Sequence, residues 1–385
     1  PFTMAVHDGD WHWGALQYRR WILNHISLPE VPSDLAMESA MCPRYDFKQN
    51  QMVCHGYAEI PEMYEQARAE GITHFFISGW NRQGFDTDYP EFVPDMELGS
   101  SWDLARGCEY VRVGSAEPFP CYEPGHAHSE PSHVHRGQYN HGYLKMIREV
   151  RDRIRALDPS SFLMIENCGD MYSQYLYANL TWNGPFYDEF FNMYKCTFPE
   201  FIQVNMVNPR RIADRDERAA WFSKDIARAS VLGSVFWAEL GDRFCEEDAH
   251  LLEYFRASLR LRKQAAPYIA RGIYQDDMDI AFAAGDGSPR ASAAITASRW
   301  MLPDGGVLVL MSNPEQLTDV AIRIDGPGQR AWAGGADMDV TVGKLCAEPA
   351  VFPTAAEDDS RVTLRVPESE LSFFAIRRSE GEAHA

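Results

Sequence analysis

The sequence lacks two features that would tie the chain to a membrane or to nucleic acid. It has no apolar run near the roughly 20 residues that a membrane-spanning helix needs. It is also poor in positive charge, with 36 Lys and Arg against 56 Asp and Glu and a formal net charge of -20. A surface of that sign repels nucleic acid and anionic membranes. We therefore expect neither as a partner, while neutral substrates remain open.

Several sequence signatures are absent as well. The eight cysteines form no CxxC pair and no framework spacing, which is typical of free thiols in a reducing compartment. No signal-peptide pattern follows Pro1, and this favours the cytoplasm without deciding it, since no initiator Met is present. No GxSxG, phosphate-binding loop or dinucleotide fingerprint occurs. We expect no cofactor.

Aromatic residues are plentiful, with 10 Trp, 17 Tyr and 21 Phe. Flat apolar faces serve sugar-binding clefts, but large cores use them too. Exposed aromatic faces also leave self-association into a homo-oligomer open.

The stretch Ser161–Asp170 shows the local pattern on which the fold prediction depends. An amphipathic helix, Tyr143–Leu157, is stopped by Asp158 and Pro159, and the apolar run Phe162–Ile165 then ends abruptly at Glu166. Helix, tight turn, buried strand and terminal carboxylate are the repeating elements of an α/β barrel, whose active site collects at the carboxyl ends of its strands. Two further units follow the same order: a helix from Ile60 to Gly71 with strand Ile72–Ser78, and a helix from about Glu217 to Gly233 with strand Ser234–Leu240.

The strand count falls short of a full barrel. Strands at Met41–Phe47, Glu109–Gly114 and near Cys196–Phe201 bring the total to about six, and region 98–120 looks compressed. We predict an α/β fold with a (β/α)8-type barrel, either complete or missing one or two strands. A doubly wound sheet is the alternative, but it would need a Gly-rich phosphate loop.

From about Ile273 the pattern changes to short β runs separated by Gly, Pro, Asp and Asn. They are Val307–Met311, Val320–Ile324, Val362–Val366 and Phe373–Ile376. We predict a C-terminal antiparallel β-sandwich over 273–385, a barrel domain over 41–272, and an N-terminal helical segment with a linker over 1–40. The N-terminal helix is predicted at Trp11–His25.

Carboxylates are the best candidates for chemistry. Glycoside hydrolysis needs two carboxyl groups flanking one bond, and strand ends can hold them rigidly. Glu166 and Glu239 are the candidate catalytic residues, while Asp46 and Glu200 are candidate substrate ligands. Each residue alone has a plainer interpretation, because any acidic protein carries carboxylates at strand ends.

Aromatic and histidine side chains are candidate sugar contacts. Trp80 and Arg82 follow a strand directly, and they can stack on a sugar ring and bind hydroxyls, although Trp80 can equally pack on a neighbouring helix. The loop Cys121–His141 holds five histidines. Metal binding by this loop, as in a metal-dependent hydrolase, is a further hypothesis, but no HExxH is present and we expect no metal. The remaining candidate substrate contacts are Tyr122, His126, His128 and Trp237.

Taken with these residues, five stretches resemble a bacterial family of glycosidase-like barrel proteins, similar to the α-galactosidase group of glycoside hydrolases. The stretches are 44–47, 71–99, 114–130, 162–170 and 196–201. The resemblance implies a carbohydrate substrate, hydrolysis with retention, an acid/base on the strand ending at Glu166, and a C-terminal β domain beside the barrel.

The chain departs from this resemblance at one place. In proteins of this kind, the strand before Gly114 ends in an Asp that is the expected nucleophile, whereas here Tyr110–Val113 contains no Asp. Compared with proteins of this kind, about two strands of sequence are also missing between Cys108 and Gly114. Two hypotheses therefore stand: a retaining glycoside hydrolase, and a non-catalytic carbohydrate-binding barrel that has lost its nucleophile.

Overall fold

A computed structural model of the chain describes residues 9–84, 93–100, 102–103, 138–166, 170–181, 188–240, 244, 246–284, 295–326, 332, 336–357 and 361–379. Its α-helices are α1 Trp11–Ile22, α2 Ser33–Met37, α3 Ile60–Ala69, α4 Gln138–Leu157, α5 Asp188–Thr197, α6 Arg215–Val231 and α7 Ala249–Ile269. None of these helices is long and apolar enough to cross a membrane.

The strands fall into two groups. Those of the first half are β1 Ala40–Asp46, β2 Lys48–Gln49, β3 Met52–Val53, β4 His74–Ser78, β5 Met164–Glu166, β6 Ala178–Thr181, β7 Ile202–Met206 and β8 Val235–Trp237. Those of the second half are β9 Ile273–Tyr274, β10 Ile280–Ala284, β11 Thr296–Met301, β12 Val307–Ser312, β13 Val320–Asp325, β14 Asp337–Lys344, β15 Ala350–Ala355, β16 Arg361–Arg365 and β17 Leu371–Arg378.

The chain divides into two compact units. The first contains Pro1–Arg19, Ser33–Met41 and Asn183–Ala385, and the second contains Arg20–Pro32 and Cys42–Trp182. The domain boundaries expected at 40/41 and 272/273 stay a prediction.

Parallel pairing occurs in both units, as the helix–strand order indicates. In the second unit β4 lies beside β1, and β5 pairs with β6 so that Glu166 stands opposite Leu180. In the first unit the start of β1 pairs with β8, and β8 pairs with β7, which places Trp237 opposite both Met41 and Met206. The predicted parallel α/β character is therefore confirmed for these strands.

Local signals explain where the helices preceding these strands begin and end. The side chain of Asp214 accepts a hydrogen bond of 2.8 Å from the backbone N–H of Glu217 and caps α6. Pro61 lies in the first turn of α3, where its missing N–H costs nothing. After α4, the carboxylate of Asp158 accepts from the N–H and hydroxyl of Ser160, which closes the turn leading to β5.

The second half of the chain is antiparallel, as predicted. One sheet has the order β15-β14-β17-β12-β11-β9 and the other the order β10-β13-β16. Strand β13 alternates buried and half-buried residues, with Val320, Ile322 and Ile324 pointing inward. These side chains share one core with residues of the larger sheet, including Val309 of β12 and Phe374 of β17. The apolar faces of both sheets thus bury each other.

One predicted strand is wrong. Cys196 belongs to helix α5 and not to a strand, and the real strand, β7, begins just after the predicted one ends. The apolar run at 196–201 misled the prediction because Phe198 and Phe201 are buried in a turn. That turn is held by Lys195, whose ammonium donates to the carbonyl oxygens of Pro199 at 2.8 Å and Phe201 at 2.6 Å.

A close contact joins the parallel and antiparallel parts of the first unit. Gly233 ends the turn between α6 and β8 with a φ of +63°, and it packs against the indole ring of Trp300 in β11. Arg262 of α7 donates to the carbonyl oxygens of Gly233 and Ser234, both at 3.1 Å. A Cβ atom at position 233 would overlap the Trp300 ring.

We expect Gly233→Ala to lower the free energy of unfolding by about 2–4 kcal/mol, because the left-handed backbone and the overlap with Trp300 both oppose a methyl group. Gly305→Ala is the matched control: its φ is +78°, but a Cβ atom there meets nothing within 4 Å. The control should lose about 1–2 kcal/mol, for backbone strain alone. Urea unfolding of both variants measures the difference, and equal losses would show that the Trp300 contact is unimportant.

Candidate functional site

The loop after β4 carries the predicted sugar contacts Trp80 and Arg82. The ring of Trp80 is half-buried, Asn81 is buried, and the side chain of Arg82 is exposed. The hydroxyl of Tyr57 donates to the carbonyl oxygen of Trp80 at 2.6 Å. The backbone N–H of Arg82 donates to the carbonyl oxygen of Val93 at 2.9 Å. The loop backbone is therefore fixed while the Arg82 side chain faces solvent.

A buried ion pair between Lys48 and Asp95 contacts this loop and stabilises it. The ammonium of Lys48 donates to the carboxylates of Asp95 at 2.7 Å and Glu97 at 3.0 Å, and to the carbonyl oxygen of Arg82 at 3.2 Å. Lys48 and Asp95 are both buried. The hydrogen bond to Asp95, with the one to Glu97, raises the pKa of Lys48. Burial works to raise the pKa of Asp95, but the bonds from Lys48 and the N–H of Glu97 outweigh it, and the pKa is lowered. Both groups are thus held in their charged forms.

The sequence did not reveal this ion pair. Lys48 is the first residue of β2, and Asp95 lies 47 residues further along the chain. A lysine and an aspartate at that separation carry no periodic signal, and their pairing depends on how the β4 loop folds back.

A second group of polar residues gathers at the carboxyl ends of β7 and β8, in the first unit. Glu239 follows β8 by two residues and is half-buried, and its backbone N–H donates to the side-chain oxygen of Asn208 at 2.7 Å. Asn208 is buried and follows β7 by two residues. Trp237, the last residue of β8, is buried in the strand. Asn208 was missed by sequence reasoning because the strand before it was placed too early.

Glu200 lies at the opposite end of β7 from Asn208. It precedes the first residue of β7 and so belongs to the amino end of that strand. Both of its carboxylate oxygens accept from the guanidinium of Arg19, whose Nη1 is 3.0 Å from Oε2 and which also donates to the carbonyl oxygen of Thr197 at 2.9 Å. This geometry favours a structural role for Glu200 over the predicted contact with a substrate.

The remaining candidates are described in part or not at all. Glu166 is the last residue of β5 and Asp46 the last residue of β1, and for both the structure describes the backbone and not the side chain. Tyr122, His126 and His128 lie outside the described residues. Their roles stay predictions.

Within the described part of the chain, one group of side chains could hold a metal ion: His12, Asp276 and Asp277. Its geometry is satisfied without a metal. The Nδ1 atom of His12 is 2.9 Å from Asp10 Oδ1, and its Nε2 atom is 3.1 Å from Asp276 Oδ2. The hydroxyl of Tyr274 donates to the other oxygen of Asp276 at 2.8 Å. An imidazolium between two carboxylates accounts for these contacts.

The pKa of His12 follows from this setting. Burial lowers it, but the hydrogen bonds to Asp10 and Asp276 outweigh burial, and the pKa is raised. The cluster fastens α1 to the turn after β9. Sequence reasoning missed it because His12 and Asp276 are 264 residues apart.

The comparisons with known proteins bear on the fold. No protein-family profile and no curated protein matches the chain. Among solved structures, the galactosidase domain of the α-galactosidase–sucrose kinase AgaSK matches with a TM-score of 0.52 and 12% identity, covering 95% of this chain and 57% of that one. The β-L-arabinopyranosidase of Geobacillus stearothermophilus has a TM-score of 0.49 and 9% identity, covering 91% and 99%.

The maltogenic α-amylase AmyB of Thermotoga neapolitana has a TM-score of 0.48 and 11% identity, covering 90% of this chain and 100% of that one. All three structures are glycoside hydrolases. The likeness to the galactosidase domain shows a shared fold. The resemblance of the sequence to glycosidase-like barrel proteins is therefore confirmed for the fold.

We expect Lys48→Met to lower the free energy of unfolding by about 2–3 kcal/mol, since the substitution leaves the buried Asp95 carboxylate without its cation. Lys145→Met on α4 is the control: Lys145 and its partner Glu149 are both exposed, so the loss there should stay within about 0.5 kcal/mol. Chemical unfolding measures both variants. A loss at Lys48 no larger than at Lys145 would refute the supporting role of the ion pair.

We expect His12 to stabilise the fold at acid pH and not at alkaline pH. Because its folded pKa is raised above 6.5, its contribution is complete below the unfolded pKa and is lost as pH rises through the folded one. His12→Gln should cost about 1–2 kcal/mol at pH near 5.5 and less near pH 9. Thermal unfolding across this range measures the difference.

The exposed His250 on α7 supplies the control. His250→Gln should leave the pH profile unchanged. A cost at His12 that does not vary with pH would contradict the ion-pair interpretation.

Proposed function

We propose that the chain is a glycoside hydrolase built on a (β/α)8-type barrel, with Glu166 as its general acid/base. The observation that carries the proposal is the position of Glu166 as the last residue of the parallel strand β5. Barrel enzymes collect catalytic residues at the carboxyl ends of their strands. The fold shared with a galactosidase domain supports this use of the strand end.

The chemistry requires two carboxyl groups with different tasks. One donates a proton to the leaving oxygen, and the other attacks the sugar or activates water. Glu166 directly follows the apolar run Phe162–Ile165 in the sequence, and we propose it as the proton donor. Glu239 is our candidate for the second carboxylate, because its backbone is fixed by Asn208 just beyond β8.

We propose that Trp80 and Arg82 bind the sugar. Their loop is anchored by Tyr57 and Lys48, and a half-buried indole beside an exposed guanidinium suits a sugar ring with hydroxyls at its edge. Asp46, Tyr122, Trp237, His126 and His128 complete the proposed set of substrate contacts. The substrate class is an oligo- or polysaccharide.

The first test is turnover of a panel of aryl glycosides by the wild-type chain and by Glu166→Gln. The substitution should lower kcat/KM by about 10²–10⁴-fold on substrates with poor leaving groups. The loss should be smaller for nitrophenyl leaving groups, which depart with little protonation. Glu149→Gln, at an exposed position on α4, is the control and should keep full activity. Near-normal turnover by Glu166→Gln would reject Glu166 as the acid/base.

The alternative is a carbohydrate-binding barrel without catalysis. It is favoured by one observation: Tyr110–Val113 lacks the Asp that the family resemblance places there. Under this alternative, calorimetry detects sugar binding that Trp80→Ala weakens, while no glycoside in the panel is hydrolysed. Turnover that depends on Glu166 excludes it.

A further inference from the structure

A small cavity lies inside the first unit, between helices α6 and α7 and strands β12 and β17. Its volume is about 20 Å³, enough for one water molecule or one single-atom ion. Its walls combine apolar side chains such as Leu310 and Phe373 with the polar side chains of Arg262 and Ser372. Nothing in the proposed sugar chemistry uses this cavity.

Two side chains on the wall each have a buried polar atom without a hydrogen-bond partner. Arg262 is 5% exposed, and its Nη1 atom has no partner, whereas Nε and Nη2 donate to the carbonyl oxygens of Ser234 and Gly233. Ser372 is 3% exposed, and its hydroxyl has no partner either. A buried donor without a hydrogen-bond partner destabilises the fold, so such donors are normally satisfied by a bound species.

Arg262 brings a buried positive charge to the cavity wall. Two neutral carbonyl groups accept hydrogen bonds from Arg262, and burial lowers its pKa to about 10, which leaves it charged at neutral pH. Glu38 acts on Arg262 through space, but its Oε1 atom already accepts from the N–H groups of Ser39 and Ala40. Lys195 lies within electrostatic reach of Arg262, but burial lowers its pKa to about 7, so it carries only part of a charge at neutral pH.

We propose that this cavity binds one chloride ion, held between Nη1 of Arg262 and the hydroxyl of Ser372. Both unsatisfied groups can donate, and an anion accepts from both while also offsetting the buried charge of Arg262. A guanidinium is weakly hydrated, and apolar walls suit a monatomic halide better than a strongly hydrated ion. The ion ties α7 to β17.

Thermal unfolding in sodium chloride and in sodium gluconate, each at about 0.2 M so that screening is equal, tests the proposal. We expect Tm to be higher in chloride by roughly 2 °C or more, with saturation as chloride increases. Ser372→Val fills the cavity and removes the hydroxyl, so the chloride effect should disappear. Ser312→Val is the control: Ser312 is equally buried at 3% in the adjacent β12 but does not line the cavity, and the effect should persist.

Crystals grown in bromide give an independent measurement, since bromide scatters anomalously and replaces chloride. An anomalous peak within hydrogen-bonding reach of Arg262 and Ser372 supports the proposal. Equal Tm in the two salts, a chloride effect that survives Ser372→Val, or a water molecule alone in the cavity overturns it.

Discussion

The packing of Trp300 is the constraint on which the first unit depends. Its indole ring is almost fully buried, at 1% exposure, and it contacts chain segments that are far apart in sequence. Gly233 packs against its six-membered ring, and a Cβ atom on Gly272 would lie 3.2 Å from the Cβ of Trp300. The ring of Tyr274 meets it edge-on at 5.3 Å, and the ammonium of Lys195 is 5.2 Å from its centroid. One side chain thus fixes the turn into β8, the exit of α7 and the end of α5 against the antiparallel sheet.

Two buried basic side chains, Arg262 and Lys195, bind backbone carbonyl groups at the starts of strands. Arg262 binds the carbonyl oxygens just before β8, and Lys195 binds those just before β7. Each replaces the water that an isolated turn would need for its carbonyl groups. The contacts at the amino ends of β7 and β8 therefore stabilise the fold. The ion pair between Glu200 and Arg19 lies at the same end of β7. The carboxyl ends of β7 and β8, with Asn208 and Glu239, carry no such network of buried cations among the described residues and remain suited to function.

Local physical signals made the periodic elements predictable. The helix at Tyr143–Leu157 and the strands at Met41–Phe47 and Val320–Ile324 were found because apolar spacing, Gly and Pro act within a few residues. Helix α5 and strand β7 were missed because the buried phenylalanines beside Lys195 make a turn look like a strand. The conformation of this segment depends on the burial of Phe198 and Phe201 and on the hydrogen bonds of Lys195. Both are contacts that form only in the folded chain.

The residues of the candidate site also fall into those that the sequence predicts and those that it does not. Glu166 could be proposed from sequence because a carboxylate that ends an apolar run is a local pattern. The ion pair of Lys48 and Asp95, the cap of Asn208 on the N–H of Glu239, and the clamp of His12 and Asp276 could not be predicted. Each joins residues 31 or more positions apart, and a polar residue gives no periodic signal for such a partner.

The absent Asp in Tyr110–Val113 makes the second carboxylate the decisive chemical question. A fold shared at 12% identity carries architecture and no reaction, so the reaction has to come from the side chains themselves. A retaining enzyme needs carboxyl groups about 5–5.5 Å apart, and an inverting one needs about 6.5–9.5 Å so that water fits between them. The backbone of Glu239 is fixed, because its N–H donates a hydrogen bond to the side-chain oxygen of Asn208. Side-chain rotamers alter a carboxylate position by ångströms, so a fixed backbone at Glu239 does not by itself fix its carboxylate. For the proposed reaction, the anomeric configuration of the first product distinguishes a retaining from an inverting arrangement of the two carboxyl groups.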